Sequence, residues 1–247
     1  MIIDIHTHYG IVPGKYNMSV EMQLAAMEKY HIHYALISNI VASIEHKGIS
    51  ANAKMLEIVR EHKDRLGCML WANEKLDEAE KKSFEDMYLT NRDIVKGIKI
   101  HPDVSEKRAD DVCFDFFYSM AAKYHLPILL HTKKNQFSSV EIVVNAAKKH
   151  PNTIFILGHM EISSNGKNAL EAVKKYDNIY GDTAWVRLEV AEEAEKMGIV
   201  HKMMFGTDSP ISGADCYADD YYMEYYRTDK QYIEDIFYKN AQRVFGL

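Results

Sequence analysis

Short apolar runs recur along the 247-residue chain, separated by longer stretches in which apolar positions repeat with helical spacing. Runs that are apolar nearly throughout are typical of parallel strands buried on both faces. The chain contains eight such runs, at residues 1–5, 33–38, 67–72, 95–100, 126–130, 153–157, 178–181 and 203–205.

Helical periodicity fills the stretches between these runs. In the second stretch, for example, Ala53, Leu56 and Val59 fall on one helical face. The predicted helices cover residues 20–30, 50–63, 77–89, 109–124, 138–150, 166–175, 188–197 and 229–245. Strict strand–helix alternation implies parallel strands joined by right-handed crossovers, and eight units in this length favour a closed barrel. We therefore predict an α/β fold, a (β/α)8 TIM barrel that forms a single domain over residues 1–247.

The stretch after the last predicted strand, residues 209–228, is irregular and rich in Tyr and Asp. We expect an active-site loop with short helical turns there, because functional loops lie at this end of a barrel.

Composition and charge limit the kinds of partner and the cellular compartment that we expect. The net charge is −6 and the lysine pairs are scattered, so we expect no nucleic-acid partner. The three cysteines, Cys68, Cys113 and Cys216, are too far apart to suggest a disulfide framework, which favours a reducing compartment. The chain starts without a signal-peptide pattern and has no membrane-length apolar segment. We expect a cytoplasmic protein.

Polar residues capable of metal binding follow the predicted strands. His6 and His8 follow the first run at spacing two, so both side chains point to the same side. His131 directly follows the fifth run, His159 follows the sixth and Asp208 follows the eighth. These positions are at the carboxyl ends of strands, where barrel enzymes carry their active sites. Imidazoles with a carboxylate suit Zn²⁺, and also Mn²⁺, Fe²⁺ or Co²⁺.

The residues suggest a division of roles around a divalent ion. His6, His8, His131 and Asp208 would bind the ion, which lowers the pKa of a bound water. Asp208 would also shuttle a proton, because a carboxylate has a second oxygen. His159 would orient the water, polarise the substrate or bind a second metal.

The segments IDIHTHYG, GIKIHP, LLHT, ILGH and FGTDSP, in this order, resemble the amidohydrolase superfamily. The closer resemblance is to its amidohydrolase-2 branch, which includes aminocarboxymuconate-semialdehyde decarboxylase. It implies that His6, His8 and His131 are metal ligands and that Asp208 binds metal and shuttles protons. It also implies that His159 is either a second-metal ligand or a catalytic group.

The fourth predicted strand ends in Lys99 and His101, again at spacing two. Lys99 should point inward, because Ile98 and Ile100 should face the helices. The resemblance implies either a carboxylated Lys99 that bridges two metals, with His159 on the second ion, or a Lys99 that contacts substrate. We expect one ion rather than two, most simply zinc.

Further substrate contacts are expected from His101 and from two residues after the seventh strand, Trp185 and Arg187. For Trp185 and Arg187, packing of the loop against the next helix is an equal alternative.

Several functions remain open from the sequence. The leading hypothesis is hydrolysis of a small-molecule amide, lactone or ester, and the alternative is non-oxidative decarboxylation of a small aromatic or unsaturated acid. The branch's decarboxylases often carry an acidic residue upstream of the HxH pair, and we interpret Asp4 as a strand residue instead.

A TatD-type deoxyribonuclease is disfavoured by Lys99 and the acidic charge, and a non-catalytic barrel is disfavoured by the complete ligand set. A homodimer is expected from the resemblance alone.

Overall fold

The computed structural model describes residues 1–211 and 220–247, apart from Pro13, Lys15 and His46. One sheet of nine strands runs through this part of the chain, in the order β2-β1-β3-β4-β5-β6-β7-β8-β9. The strands are β1 (Ile3–Val12), β2 (Tyr16–Met18), β3 (Tyr34–Asn39), β4 (Leu66–Trp71), β5 (Val95–Ile100), β6 (Ile128–Lys133), β7 (Phe155–Ile162), β8 (Ile179–Asp182) and β9 (Met203–Met204). From β1 through β3 to β9 all neighbours are parallel, whereas β2 pairs with β1 as an antiparallel hairpin that the sequence pattern did not predict.

Backbone hydrogen bonds close the sheet into a barrel. The N–H of Ile5 donates to the carbonyl of Phe205 at 3.0 Å, and the N–H of Asp208 donates to His6 at 2.7 Å. The N–H of His8 then donates to Ser209, also at 2.7 Å. The first and last parallel strands therefore meet, and the predicted TIM-barrel fold is confirmed.

The helices surround the barrel in the predicted alternation. They are α1 (Val20–Lys29), α2 (Val41–Glu45), α3 (Gly48–Glu61), α4 (Glu78–Thr90), α5 (Pro102–Ser105), α6 (Asp115–Tyr124), α7 (Val140–Lys149), α8 (Lys167–Lys175), α9 (Leu188–Lys196), α10 (Asp220–Arg227) and α11 (Asn240–Phe245). No helix in the described ranges has both the length and the apolar character needed to cross a bilayer.

Some element boundaries differ from the prediction. The stretch 109–124 contains a separate 3-10 turn, Val112–Phe114, before α6, because the Asp111 side chain accepts from Cys113 N and starts a new turn. The stretch 229–245 becomes helical only from residue 233, and a π-helical segment, Asp235–Lys239, then leads into α11. Within the predicted loop 209–228 the structure contains α10, whereas residues 212–219, including Cys216, lie outside the described residues.

A bulge in β1 turns the side chains of His6 and His8 toward the inside of the barrel. Ile3 and Asp4 pair with Tyr34 and Ala35, but the next paired residue, Thr7, is opposite Ile37. One extra residue in β1 therefore reverses the inside–outside alternation. Ile3 and Ile5 lie in the apolar layer inside the barrel, and beyond the bulge His6 and His8 turn inward instead of Thr7.

An apolar layer fills the barrel beneath the site. Its strand residues are joined by Ala241 and Phe245 of α11, so the last helix packs into the amino end of the barrel. The layer's buried strand residues are Ile3, Ile5, Leu36, Met69, Leu129, Ile156 and Met204. This layer leaves the carboxyl end of the barrel to the polar residues.

Candidate metal centre

Two histidines and one carboxylate converge at the barrel mouth. The Nε2 atom of His8 lies 2.8 Å from Oδ1 of Asp208, and Nε2 of His6 lies 3.3 Å from the same oxygen. All three residues are buried. Asp208 is brought here by its backbone bond to His6 at the closure of the barrel.

The outer nitrogen of each ring is held by a second side chain. Nδ1 of His6 lies 2.6 Å from Oδ2 of Asp182, and Nδ1 of His8 lies 2.9 Å from Oγ of Ser38. The Ser38 hydroxyl donates to Thr7 O, so its oxygen can accept the Nδ1–H of His8. These partners leave Nε2 of both rings directed at Asp208, as outer-shell partners do for metal-binding imidazoles.

The donor set fits a divalent cation. Bonds of about 2.1 Å in tetrahedral geometry separate two ligand atoms by about 3.4 Å. The two distances to Asp208 Oδ1, 2.8 and 3.3 Å, are slightly shorter than this. The spacing of these atoms therefore fits a shared ion, which would take the place of the Lys99 amine at Nε2 of His6.

His159, on β7, lies close to His6 and Asp208. One donor atom each of His6, His159 and Asp208 lies within 4.8 Å of the others. Nδ1 of His159 contacts the carbonyl of Ala184 at 3.1 Å, so Nε2 is the nitrogen available to the group. His159 has a left-handed backbone with a φ of 70°, a conformation uncommon outside glycine that often marks functional sites.

His131 lies beside this group. Its ring stacks on that of His101 with centroids 3.9 Å apart and planes 11° from parallel. A donor atom of each lies within 4.8 Å of one on Asp103, and the His131 ring is 4.9 Å from that of His159. The assignment of His131 as a ligand of the first ion stays a prediction, because His131 and His101 form a second, adjacent group.

Lys99 points into the barrel, as its alternation with Ile98 and Ile100 indicates. It is only 1% exposed, and its ammonium donates to Nε2 of His6 at 2.6 Å. Burial lowers the pKa of Lys99 to about 8, although the charges of Asp208 and Asp182 oppose the shift. Lys99 is thus in contact with His6, one of the candidate metal ligands.

Burial favours the neutral form of four of the imidazoles, those of His6, His101, His131 and His159. It lowers the pKa of His159 to about 4 and, together with the charge of Lys99, holds the pKa of His6 well below 6.5. Burial likewise lowers the pKa values of His101 and His131. A neutral imidazole has the free lone pair that a metal ion requires.

The pKa values of two buried carboxyl groups of the site, Asp208 and Asp182, shift in opposite directions. Burial tends to raise the pKa of Asp208, but the contact with His8 and the fields of His159 and Lys99 lower it overall. Burial raises the pKa of Asp182, whereas the His159 N–H and the charge of Lys99 favour its carboxylate form.

A pocket of about 390 Å³ opens beside His159. Trp185, Arg187 and Tyr221 line it, and the Trp185 ring lies 5.8 Å from that of His159. The Arg187 guanidinium donates to Glu224 at 2.7 Å and lies over the Tyr221 ring. Trp185 therefore borders both site and pocket, whereas Arg187 lines the pocket while paired with Glu224 and Tyr221.

The side chains that contact the candidate ligands from behind are hard to identify from the sequence. Ser38 ends the predicted strand 33–38, and Asp182 directly follows the run at 178–181. The sequence pattern singles out none of Ser38, Trp71, Asp103 and Asp182. Their one signal was position at a strand's carboxyl end, which many non-functional residues share.

Comparison with known proteins shows the family. The Amidohydro_2 family model, described as amidohydrolase, matches residues 3–247. The chain belongs to this amidohydrolase family. None of the curated proteins compared matches this amidohydrolase in sequence.

Solved structures share its fold at low identity. The manganese-bound D314N mutant of 5-carboxyvanillate decarboxylase LigW2 from Novosphingobium aromaticivorans aligns with a TM-score of 0.78 at 12% identity, covering 100% of this chain and 97% of that one. The 2,6-dihydroxybenzoate decarboxylase from Rhizobium gives 0.74 at 15%, covering 99% and 98%. A protein from Acinetobacter baumannii named "probable 2-pyrone-4,6-dicarboxylic acid hydrolase", with citric acid bound, gives 0.68 at 13%, covering 100% and 99%. At such identities the likeness shows the fold alone.

Proposed function

We propose that this amidohydrolase is a metal-dependent hydrolase of a small-molecule ester, lactone or amide. The observation that carries the proposal is the convergence of His6 Nε2 and His8 Nε2 on Asp208 Oδ1. A divalent ion held by these atoms would supply an activated water at neutral pH and would polarise the substrate carbonyl. Zinc suits the donor set best among the metals considered, and one ion is favoured over two.

The chain's own residues move the proton. Every described contact of the Asp208 carboxylate involves Oδ1, so Oδ2 is the oxygen that accepts a proton from water and passes it to the leaving group. His159 is neutral, and its Nε2 accepts a hydrogen bond that orients the water. Trp185 forms the adjoining wall, where it shields the reacting groups from solvent and contacts the substrate.

Decarboxylation of a small aromatic or unsaturated acid is the second candidate. It is supported by the similar structures that carry decarboxylase names. Asp4, however, accepts from the backbone of His6 and from the hydroxyl of Thr207, and thereby helps to close the barrel. These contacts give Asp4 a structural role and support our interpretation of it as a strand residue. The proposal therefore favours hydrolysis.

Metal analysis tests the proposed centre. We expect about one ion per chain after purification without chelators, and loss of the ion in both His8→Ala and Asp208→Asn. His201→Ala is the matched control, because His201 is exposed and remote from the site. Failure of the wild-type protein to bind any divalent ion after reconstitution would contradict the proposal.

A substrate panel then separates the two reactions. Lactones, esters and amides are assayed for acid release, and aromatic acids for carbon dioxide release. Turnover of the first set that disappears in Asp208→Asn supports hydrolysis. Carbon dioxide release alone would replace hydrolysis with the second candidate.

A further inference from the structure

One buried carboxylate connects three segments of the site. Asp182, the last residue of β8, is fully buried, and its Oδ2 lies 2.6 Å from Nδ1 of His6. Its Oδ1 accepts from the backbone N–H of His159 at 2.7 Å and of Ala184 at 3.2 Å. Asp182 therefore contacts a predicted ligand, the predicted catalytic histidine and the loop after β8.

The contacts of His6 define its tautomer. Oδ2 of Asp182 faces Nδ1 at 2.6 Å, and a carboxylate only accepts, so the ring proton lies on Nδ1. Nε2 then carries the lone pair, which faces the Lys99 amine at 2.6 Å.

The same carboxylate acts on His159 through Ala184. Asp182 Oδ1 holds the Ala184 N–H, and the Ala184 carbonyl contacts Nδ1 of His159 at 3.1 Å. A carbonyl only accepts, so Nδ1 of His159 carries its proton and Nε2 carries the lone pair.

Asp182 also supports a strained backbone. His159, Met160 and Glu161 have consecutive φ values of 70°, 47° and 70°. Left-handed conformations of non-glycine residues persist only where surrounding contacts hold them. The bond from His159 N–H to Asp182 Oδ1 is such a contact, at the first residue of the segment.

We propose that Asp182 is a positioning residue that fixes the Nδ1–H tautomer of both His6 and His159, so that both Nε2 atoms face the reaction centre. The effect on metal affinity rests on the proposed function. The effect on the tautomers does not, because it follows from the hydrogen bonds alone.

The decisive variant is Asp182→Asn. If its amide oxygen keeps the two backbone N–H groups, its NH2 group faces His6 and can only donate to Nδ1. The ring proton then moves to Nε2, the atom that must bind metal, and Lys99 can no longer donate to that nitrogen. We expect a 10- to 100-fold loss of zinc affinity, the range typical of outer-shell substitutions. Long-range ¹H–¹⁵N spectra should show His6 changing from the Nδ1–H to the Nε2–H form.

Asp4→Asn is the matched control. Asp4 is equally buried, but it contacts the backbone of His6 and the hydroxyl of Thr207. We expect Asp4→Asn to leave the His6 tautomer unchanged and zinc affinity within a few-fold of wild type. An equal loss of affinity in both variants, without a tautomer change, would mean that Asp182 is merely structural and would overturn the proposal.

The wild-type spectrum is a second, independent measurement. It should show Nδ1–H forms for both His6 and His159, and an Nε2–H form for either would overturn the proposal even if Asp182→Asn fails to fold. Absence of zinc binding in the wild-type protein would refute the proposed function, whereas the spectra would still decide the role of Asp182.

Discussion

At the scale of single residues, the site depends on which nitrogen each imidazole presents. His6, His8 and Asp208 were predictable, because residues that follow parallel strands share one end of a barrel. Ser38 and Asp182, which hold the outer nitrogens of His8 and His6, were not predicted as such. Their role comes from contacts between strands, and one chain's periodicity does not determine which side chains meet.

Ser38→Ala tests the support of His8. The substitution removes the only described partner of His8 Nδ1, so the ring loses its preferred orientation. We expect zinc affinity to fall by about tenfold, measured by competition with a chelating indicator. Ser43→Ala is the control, because Ser43 is also buried but donates to Ile40 O. Unchanged affinity in Ser38→Ala would show that the barrel wall alone orients His8.

At the scale of elements, the parallel strands were easier to predict than their irregularities. The strand at 95–100 matches β5 in full, because its apolar run is bounded clearly. The bulge in β1 was not predictable, since an extra residue leaves the apolar pattern intact and appears only in the pairing with β3. The hairpin strand β2 was missed because a three-residue strand is too short for periodicity to show.

The contribution of α11 is tested by Phe245→Ala. Phe245 is 7% exposed and packs in the apolar layer that fills the barrel beneath the site. Truncation of a buried Phe costs about 3–5 kcal/mol of unfolding free energy, and urea denaturation should show a loss in this range. Val244→Ala, in a partly buried neighbour, should cost much less. Equal losses would indicate that α11 does not fill the barrel as described.

At the scale of the whole molecule, the candidate centre lies where the barrel closes. His6 and His8 belong to the first strand, and Asp208 follows the last one, so the proposed ligands are joined across this seam. Fold and family were predictable because both depend on a pattern spread over the whole chain. The substrate was not, because loop geometry determines specificity and one fold supports many reactions. The single domain over residues 1–247, the cytoplasmic location and the homodimer stay predictions.

This arrangement predicts that metal binding stabilises the closed barrel. The unfolded chain does not bring His6 and Asp208 together, so the ion binds mainly to the folded protein. At a free zinc concentration 1,000 times the dissociation constant, the unfolding free energy should rise by about 4 kcal/mol. Urea denaturation with and without a chelator measures this difference. Asp208→Asn should show little chelator effect, whereas Ser43→Ala should show the full effect. Coincident curves for the wild-type protein would mean that no ion couples the first strand to the last.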